Sequence, residues 1–422
     1  MNEFEIAKLT LETIVIKKEG KEEVPFALAI KNSFKKYNVE PQSRNNITAL
    51  LGCVLRHHYL LDNLIHRFFV DIEFEKTIYL RFLISNKLFL KRFNNDELLK
   101  LTVADLDKDL VSQLVEFVSS TKEIIPNNLD KTSPEYLSMR FNTPAWVIKM
   151  WQKQFGKGVV FKVLKTNYRQ SIPSIRVNEQ LTTKEKVLAK HPDLVASPIE
   201  NVLVFHGKGS PKYFEEFKKN EIFFMKMGTK FILDKLEIEP IKRIAIYSDV
   251  PNNIYLDLVS RFGNNIAMDL IINHTQSYYE TKRICENFKY NNIALYHAAS
   301  SSIITCVSNK VGTMICLPKS TTFDLLRSTP DYFLRVKQDQ LDSIIAEEKA
   351  ALEECANLVE RDGKFVYMVP TMSKKESTTL IANFLFLHPD YSLIEERQFF
   401  PFDEFDSCLY YAILKKTGES GD

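Results

Sequence analysis

The sequence lacks paired cysteines. Its six cysteines are scattered without any CxxC pair: Cys53, Cys285, Cys306, Cys316, Cys355 and Cys408. This spacing argues against a zinc site and against a disulfide framework. We therefore expect no metal in the protein and a reducing compartment around it.

Long apolar runs are missing as well. No uncharged apolar stretch reaches the roughly 18 residues that a membrane helix needs. The first residues, MNEFEIAKLTLETIV, carry charge early and contain no apolar core followed by a small-residue cleavage site. The sequence thus predicts neither secretion nor membrane insertion, and we expect a cytoplasmic protein.

The composition that is present is typical of a globular protein. The chain has 422 residues, of which 45% are hydrophobic and 26% charged, with a net charge of +2. These values are near the averages for soluble domains and exclude a disordered or fibrous chain. The length predicts about two or three domains, whereas the net charge by itself indicates no partner.

Glycine is scarce in the first part of the chain. Residues 3–122 contain only Gly20 and Gly52, and apolar residues recur there at helical spacing, most clearly over residues 47–69. This pattern predicts an all-helical region. His57 and His58 interrupt the apolar face, but adjacent side chains point about 100° apart on a helix. We interpret these histidines as structural or solvated residues and not as metal ligands.

One later segment contains no acidic residue. Between Tyr136 and Asn178 there is no Asp or Glu, and eight basic residues occur: Arg140, Lys149, Lys153, Lys157, Lys162, Lys165, Arg169 and Arg176. Aromatic rings alternate with these cations: Trp146, Trp151, Phe155, Phe161 and Tyr168. Such a mixture suits phosphate neutralisation combined with base stacking.

Three of these lysines repeat every four residues. Lys149, Lys153 and Lys157 would line one face of a helix. We therefore predict an RNA-contacting surface made of the following residues: Arg140, Trp146, Lys149, Lys153, Lys157, Arg176 and Asn178. The alternative is that the rings belong to a core and the lysines only solvate a helix face.

The last part of the chain alternates β-rich and helical runs. The strand candidates are RIAIYS from Arg243, NIAMDLI from Asn265, NIALYHAA from Asn292, VGTMICLP from Val311 and KFVYMVP from Lys364. This alternation predicts a parallel α/β sheet of doubly wound type.

Two further elements are expected near the end of the chain. A long helix from Val336 to about Glu360 should stop at the dipeptide 362–363, where Gly363 can take a left-handed conformation. SLIEERQ from Ser392 and CLYYAIL from Cys408 should form a final hairpin.

Several strings occur in the order known from one family. They are LLGCVLRHHYLLDNLI from Leu50, RFNTPAWVIKMW from Arg140, IPSIRVNEQLTTKEKVL from Ile172, LRSTPDYFLRVKQDQLDSI from Leu326 and ERDGKFVY from Glu360. Together they resemble the bacterial 16S rRNA cytosine-5 methyltransferase B family.

The resemblance implies a multi-domain fold. It comprises an all-α NusB-like N-terminal domain over residues 1–125 and a small α+β RNA-binding domain over 126–225. A C-terminal α/β Rossmann-like class I methyltransferase sheet over 226–416 and a tail over 417–422 follow. The implied partner is RNA, either 16S rRNA or the small ribosomal subunit, and we expect a monomer that binds no membrane.

The chemistry of that family needs two cysteines. One thiolate adds to carbon 6 of cytosine, which makes carbon 5 nucleophilic toward the methyl group of S-adenosylmethionine, and the second assists the elimination. The resemblance places Lys319 and Pro370 at these two positions. No catalytic residue is therefore expected.

The cofactor loop of the family also differs in this chain. The resemblance aligns it with residues 248–255, where Asn252 and Asn253 replace glycines whose absence of a side chain lets the backbone approach the cofactor. Asp269 falls where an acidic residue would hold the ribose hydroxyls at the end of the second strand. We expect no cofactor, with S-adenosylmethionine as the candidate if the divergent site still binds it.

Three hypotheses follow from these residues. The first is an RNA-binding protein that performs no methyl transfer. The second is an active methyltransferase that uses Cys316, although a shift of three residues along a strand moves a side chain by about 10 Å and reverses its face. The third is an interaction protein that acts through its NusB-like domain in ribosome assembly or transcription.

Overall fold

The computed structural model describes residues 2–16, 24–121, 123–167, 169, 171–239, 242–307 and 309–418. These residues form two compact units, which we call the helical unit and the sheet unit. The helical unit comprises Met1–Arg169 and Leu325–Gln338, and the sheet unit comprises Gln170–Asp324 and Asp339–Asp422. None of the described helices is long and apolar enough to cross a membrane.

The helical unit confirms the helical character predicted for residues 3–122 in the parts that the structure describes, 3–16 and 24–121. Its helices are α1 Glu3–Val15, α2 Phe26–Lys36, α3 Pro41–Arg56, α4 His58–His66, α5 Ile78–Ser85, α6 Asn95–Asp105, α7 Lys108–Ser120, α8 Pro134–Phe141, α9 Ala145–Phe155 and α10 Lys157–Asn167. Helix α1 begins with a capping box, in which Asn2 and Glu5 each accept a hydrogen bond of 2.9 Å from the other's backbone N–H. Leu51, Leu61 and Phe82 are fully buried in the core between these helices.

The stretch 47–69 belongs to two helices, because α3 ends at Arg56 and α4 begins at His58. His57 lies between them. Its ring stacks on Phe89 with the centroids 3.6 Å apart. Burial, followed by the charge of Arg56, lowers the pKa of His57 to about 4. The Nε2 atom of His58 lies 3.0 Å from a carboxylate oxygen of Asp62. Both histidines therefore have the structural role that we expected.

The sheet unit begins with a small antiparallel sheet. Its strands are β1 Ser174–Val177, β2 Leu194–Ala196, β3 Val202–Phe205 and β4 Ile222–Phe224, and the helices are α11 Lys184–Lys190, α12 Glu215–Lys218 and α13 Met227–Asp234. The spatial order of the strands is β2-β3-β1-β4.

A seven-stranded sheet forms the larger part of the sheet unit. Its strands are β5 Ile244–Ser248, β6 Met268–Ile272, β7 Ile293–His297, β8 Val311–Leu317, β9 Val359–Val369, β10 Tyr391–Phe399 and β11 Leu409–Lys416, in the spatial order β10-β11-β9-β8-β5-β6-β7. The remaining helices are α14 Ile254–Phe262, α15 Thr275–Phe288, α16 Ile303–Cys306, α17 Tyr332–Arg335, α18 Leu341–Asn357 and α19 Thr378–Leu387, of which α17 belongs to the helical unit.

The strand pattern of this sheet confirms the prediction. Strands β5 to β9 pair in parallel, and β10 and β11 add an antiparallel hairpin at one edge. Every residue of β5, β6 and β8 is buried, as expected for parallel strands that are covered on both faces.

The predicted end of the long helix is wrong. Helix α18 ends at Asn357, and β9 begins two residues later because Val359 pairs with Val311 of β8. Asp362, with a φ of 62°, takes the left-handed conformation, and the register of β9 shifts around it. The predicted helix terminus is thus an irregularity inside a strand.

The compact units differ from the three domains predicted from the sequence. Residues 126–169 pack with the helical unit, whereas 171–225 belong to the sheet unit. A separate domain over 126–225 is therefore not present as a compact unit. Of the predicted tail 417–422, residues 419–422 lie outside the described residues.

Candidate functional site

The carboxyl ends of the parallel strands define the first candidate site. Ser248 at the end of β5 pairs with Ile272 of β6 and with Leu317 of β8, so these three strands end at one edge of the sheet. In open α/β sheets, ligands bind outside the carboxyl ends of the strands. The loops that follow β5, β6 and β8 are therefore the place to test for a cofactor site.

The loop after β5 is closed by its own side chains. Asn252 donates from Nδ2 to the Oγ of Ser248 at 2.8 Å, and its Oδ1 accepts a hydrogen bond of 3.1 Å from the N–H of Ile254. Asn253 donates from Nδ2 to the carbonyl of Phe224 at 2.8 Å. The family resemblance aligns glycines with these two positions, so amide side chains occupy the part of the loop that it expects to be open to a cofactor.

The prediction that Asp269 holds the ribose is wrong. Asp269 is the second residue of β6 and pairs in register with Ala245, which places it toward the amino ends of the strands. Its carboxylate is buried and accepts a hydrogen bond of 2.6 Å from Nη2 of Arg243. About three residues of strand, or roughly 10 Å, separate it from the edge at which ligands bind.

A different carboxylate lies at the carboxyl edge. The hydroxyl of Tyr247 donates to Asp249 Oδ2 at 2.6 Å, and Asn273 donates from Nδ2 to Asp249 Oδ1. Burial, followed by the hydrogen bond to Asp249, raises the pKa of Tyr247. Sequence reasoning missed this cluster, although polar residues that directly follow two buried strands were a usable signal.

The two positions at which the family resemblance expects catalytic cysteines hold no thiol. Lys319 is exposed and its Nζ lies 3.0 Å from Glu347 Oε2, whereas Pro370 follows the end of β9. Cys316 lies within β8 and is fully buried, with its Sγ 3.9 Å from the carbonyl oxygen of Ala351. A buried thiol inside a strand does not reach a cytosine base of an RNA, so Cys316 has a structural role.

The loops after β8 and β9 are tied together by one side chain. Glu376 accepts a hydrogen bond of 2.7 Å from the N–H of Thr321 and one of 2.6 Å from the hydroxyl of Thr371. All three residues are buried. These loops carry Lys319 and Pro370, so the region that would be catalytic in the family is a fixed, internally bonded structure here.

The second candidate site is the basic segment of the helical unit. Lys149 and Lys153 are exposed on α9, and Arg140 is exposed near the end of α8. Lys157 is exposed too, but it begins α10, because Gly156 has a φ of +80° and ends α9. The predicted single helical face therefore holds for Lys149 and Lys153 and is wrong for Lys157.

The aromatic rings of this segment divide between core and surface. Trp151 is fully buried, Trp146 is half-buried, and Phe161 is 44% exposed with its ring centroid 5.8 Å from that of Phe141. Tyr168 lies outside the described residues. The core interpretation thus holds for Trp151, and the surface of the segment is dominated by cations.

Two predicted RNA-contacting residues are not on a surface, and their assignment is wrong. Arg176 is fully buried and donates to Asp257 at 2.7 Å and to Glu179 at 2.6 Å. Asn178 is 1% exposed and donates from Nδ2 to the carbonyl of Asn220 at 3.0 Å. Since both side chains are satisfied by the sheet unit itself, neither is available to a ligand.

Among the residues that the structure describes, no group of three or more His, Cys, Asp or Glu side chains is arranged to hold a metal ion.

Comparisons with known proteins give matches in structure only. No protein-family model and no curated protein sequence matches the chain. PH0851 superposes with a TM-score of 0.76 at 16% identity, over 99% of this chain and 99% of that chain. A methyltransferase homolog protein from Pyrococcus horikoshii gives 0.58 at 12% identity, over 68% and 100% of the two chains. NSun6 from Pyrococcus horikoshii, solved with SFG, gives 0.58 at 12% identity, over 64% and 97%.

The chain has a methyltransferase-type fold. The comparisons agree with a helical N-terminal region followed by a Rossmann-like α/β sheet, as the sequence predicts. Identity this low shows the fold alone, since one fold hosts many functions. Membership in the bacterial 16S rRNA methyltransferase B family and a NusB-like identity of the helical unit stay predictions.

Proposed function

We propose that this protein binds RNA through the basic segment of its helical unit and performs no methyl transfer. The observation that carries the proposal is the surface of α8 to α10. Lys149, Lys153 and Lys165 are exposed there and form no ion pair with a described acidic residue. Cations without an acidic partner are the groups with which a protein neutralises phosphates.

The absence of methyl transfer is supported by the carboxyl edge of the sheet. Lys319 is paired with Glu347, Pro370 has no nucleophilic group, and Cys316 is buried in β8. An exposed protonated amine does not add to a pyrimidine, and an amine is a poor leaving group after addition. An active methyltransferase with a divergent site is the alternative, and it requires both S-adenosylmethionine binding and a nucleophile that these residues do not offer.

The proposed partner is structured RNA of the ribosome, namely 16S rRNA or the small subunit, bound by a monomer in the cytoplasm. This part follows from the family resemblance. The interaction-protein hypothesis also uses the helical unit but differs in salt dependence, because a partner protein would bind without the strong salt dependence of phosphate contacts.

Replacement of two lysines tests the RNA surface. We expect Lys149→Ala/Lys153→Ala to weaken binding of a 16S rRNA fragment. The slope of log K against log salt should fall by about 1 for each phosphate that is no longer neutralised. The measurement is a binding titration at several salt concentrations. The matched control is Lys31→Ala/Lys100→Ala, which removes two exposed lysines from α2 and α6 of the same unit. Equal slopes for both double variants would show that the basic segment is not the RNA surface.

A further inference from the structure

Two glutamates are buried together beneath the loops that follow β8 and β9. Glu348 lies on α18 and Glu376 lies just before α19, and both are 0% exposed. The turn Lys374–Glu376 packs against α18, which brings the two carboxyl groups within hydrogen-bonding reach of each other.

Glu376 has the surroundings of an ionised carboxylate. It accepts hydrogen bonds from the N–H of Thr321 at 2.7 Å, from the hydroxyl of Thr321 at 2.9 Å and from the hydroxyl of Thr371 at 2.6 Å. Burial raises the pKa of Glu376, whereas the hydrogen bonds donated by Thr371 and Thr321 lower it and favour the charged form more than at Glu348. Glu376 is therefore the acceptor of the pair.

Glu348 has the opposite surroundings. Neither of its carboxyl oxygens meets a hydrogen-bond donor among the described residues. A charged group that is buried without such partners is strongly disfavoured, and two carboxylates in contact do not both ionise. The carboxylate of Glu348 must therefore be neutralised by a bound cation, and a proton is the smallest cation that can do this.

Among the described residues, the other titratable groups that act most strongly on Glu348 supply no positive charge. They are Cys316 from β8, Tyr367 from β9, Glu376, and Glu347 from its own helix. None of these is Lys, Arg or His. Cations such as Lys319 lie at the surface, where Lys319 pairs with Glu347.

We propose that Glu348 binds one proton at neutral pH and donates it in a hydrogen bond to Glu376, forming a proton-bridged latch between the loops after β8 and β9. The proton remains covalently bound to a carboxyl oxygen of Glu348, and no other bond changes. Burial, followed by the charge of Glu376, raises the pKa of Glu348 to about 11. The latch holds Thr321 and Thr371 in place through Glu376, and it is independent of RNA binding.

The latch makes folding stability depend on pH in a defined direction. The pKa of Glu348 is raised in the folded protein, so between about 4.5 and 11 the folded state holds a proton that the unfolded state has released. Stability contributed by this proton is complete below the unfolded pKa and falls as the pH rises. Each pH unit in this window changes the unfolding equilibrium constant by about tenfold.

Unfolding of three proteins as a function of pH tests the latch. In Glu348→Gln the amide donates the same hydrogen bond without a titrating proton, so this variant keeps the latch at every pH. Between pH 6 and 8 the unfolding constant of the natural protein should rise about 100-fold relative to Glu348→Gln. Glu347→Gln, which changes the exposed neighbour on α18, should follow the natural protein. Parallel curves for the natural protein and Glu348→Gln would overturn the proposal.

Infrared spectroscopy of the folded protein provides a readout that is separate from stability. At neutral pH the natural protein should show the carbonyl stretch of a protonated, buried carboxylic acid, and Glu348→Gln should lack it. Absence of this band in the natural protein overturns the proposal, whether or not the variant folds. Stabilisation of the natural protein by added Na⁺, K⁺ or Mg²⁺, without the band, would show that a metal cation occupies the pair instead.

Discussion

Arg176 connects the small antiparallel sheet to helix α14 through a buried ion pair. Its Nε donates to Asp257 Oδ1 at 2.7 Å, and both side chains are fully buried. Nη2 of Arg176 also donates to Glu179 at 2.6 Å. Arg261 and Lys230 also approach the Asp257 carboxylate, at 3.5 and 3.9 Å, so Arg176 is its closest cationic partner but does not balance its charge alone.

At the scale of single residues, we expect Arg176→Ala to lower the free energy of unfolding by about 1.5–3 kcal/mol, since it removes a charge-assisted hydrogen bond while Arg261 and Lys230 remain near the Asp257 carboxylate. Urea unfolding measures the change. Arg169→Ala, which removes an exposed arginine of the same acid-free segment, should change stability by less than about 0.5 kcal/mol. A stable Arg176→Ala protein with weakened RNA binding would contradict the structural role.

The sequence did not reveal this role of Arg176. In the chain it follows seven other basic residues in a segment without acids, and most of those are exposed. Its partner Asp257 lies 81 residues further along, in a different element. Charge patterning within a segment therefore predicts a basic surface, but it does not predict which member of the segment is buried.

At the scale of elements, the junction of α9 and α10 shows how one residue ends a helix. Gly156 has a φ of +80°, a conformation that L side chains rarely adopt, whereas Gly158 lies inside α10. A Cβ at either position would meet no atom within 4 Å. The two glycines therefore differ in backbone conformation and not in the space around them.

We expect opposite effects from alanine at these two glycines. Gly156→Ala should lower the free energy of unfolding by about 1 kcal/mol, because a backbone with positive φ is strained by a Cβ. Gly158→Ala should raise it by roughly 0.5–1 kcal/mol, because alanine favours the helix. Thermal or urea unfolding of both variants measures the difference, and equal effects would contradict this account of the helix end.

Most elements of the sheet unit could be predicted because their signals are local. β5, β6 and β8 are mostly apolar runs, which is the pattern of strands buried on both faces. The boundary between α18 and β9 could not be predicted, because Asp362 and Gly363 resemble a helix end but lie inside β9. There, pairing of Val359 with Val311 of β8 extends the strand toward the helix.

At the scale of the whole molecule, a shared fold accompanies different residues at the positions that the family resemblance assigns to catalysis. PH0851 superposes over 99% of the chain, yet the loop after β5 is closed by Asn252, and Lys319 and Pro370 stand where the family resemblance expects thiols. A fold depends on many buried apolar residues, whereas catalysis depends on a few residues at one edge.

We expect no binding of S-adenosylmethionine at micromolar concentration, because amide side chains fill the loop that must approach the cofactor. Isothermal titration calorimetry measures this. Asn252→Gly/Asn253→Gly is the matched variant, and binding gained by it alone would identify the two amides as the obstacle. Micromolar binding by the natural protein would contradict the proposed absence of methyl transfer. Bisulfite mapping of 16S rRNA with and without the protein tests turnover directly.

The sequence by itself determined the helices of the first part, the strand pattern of the last part and the presence of a cation-rich segment. These features depend on residues close together in the chain. Only the tertiary structure decided that Asp269 lies toward the amino end of its strand, that Arg176 is buried and that Glu348 meets Glu376. Strand register and burial bring together residues that are distant in sequence, and the protonation and pairing of a side chain depend on those neighbours.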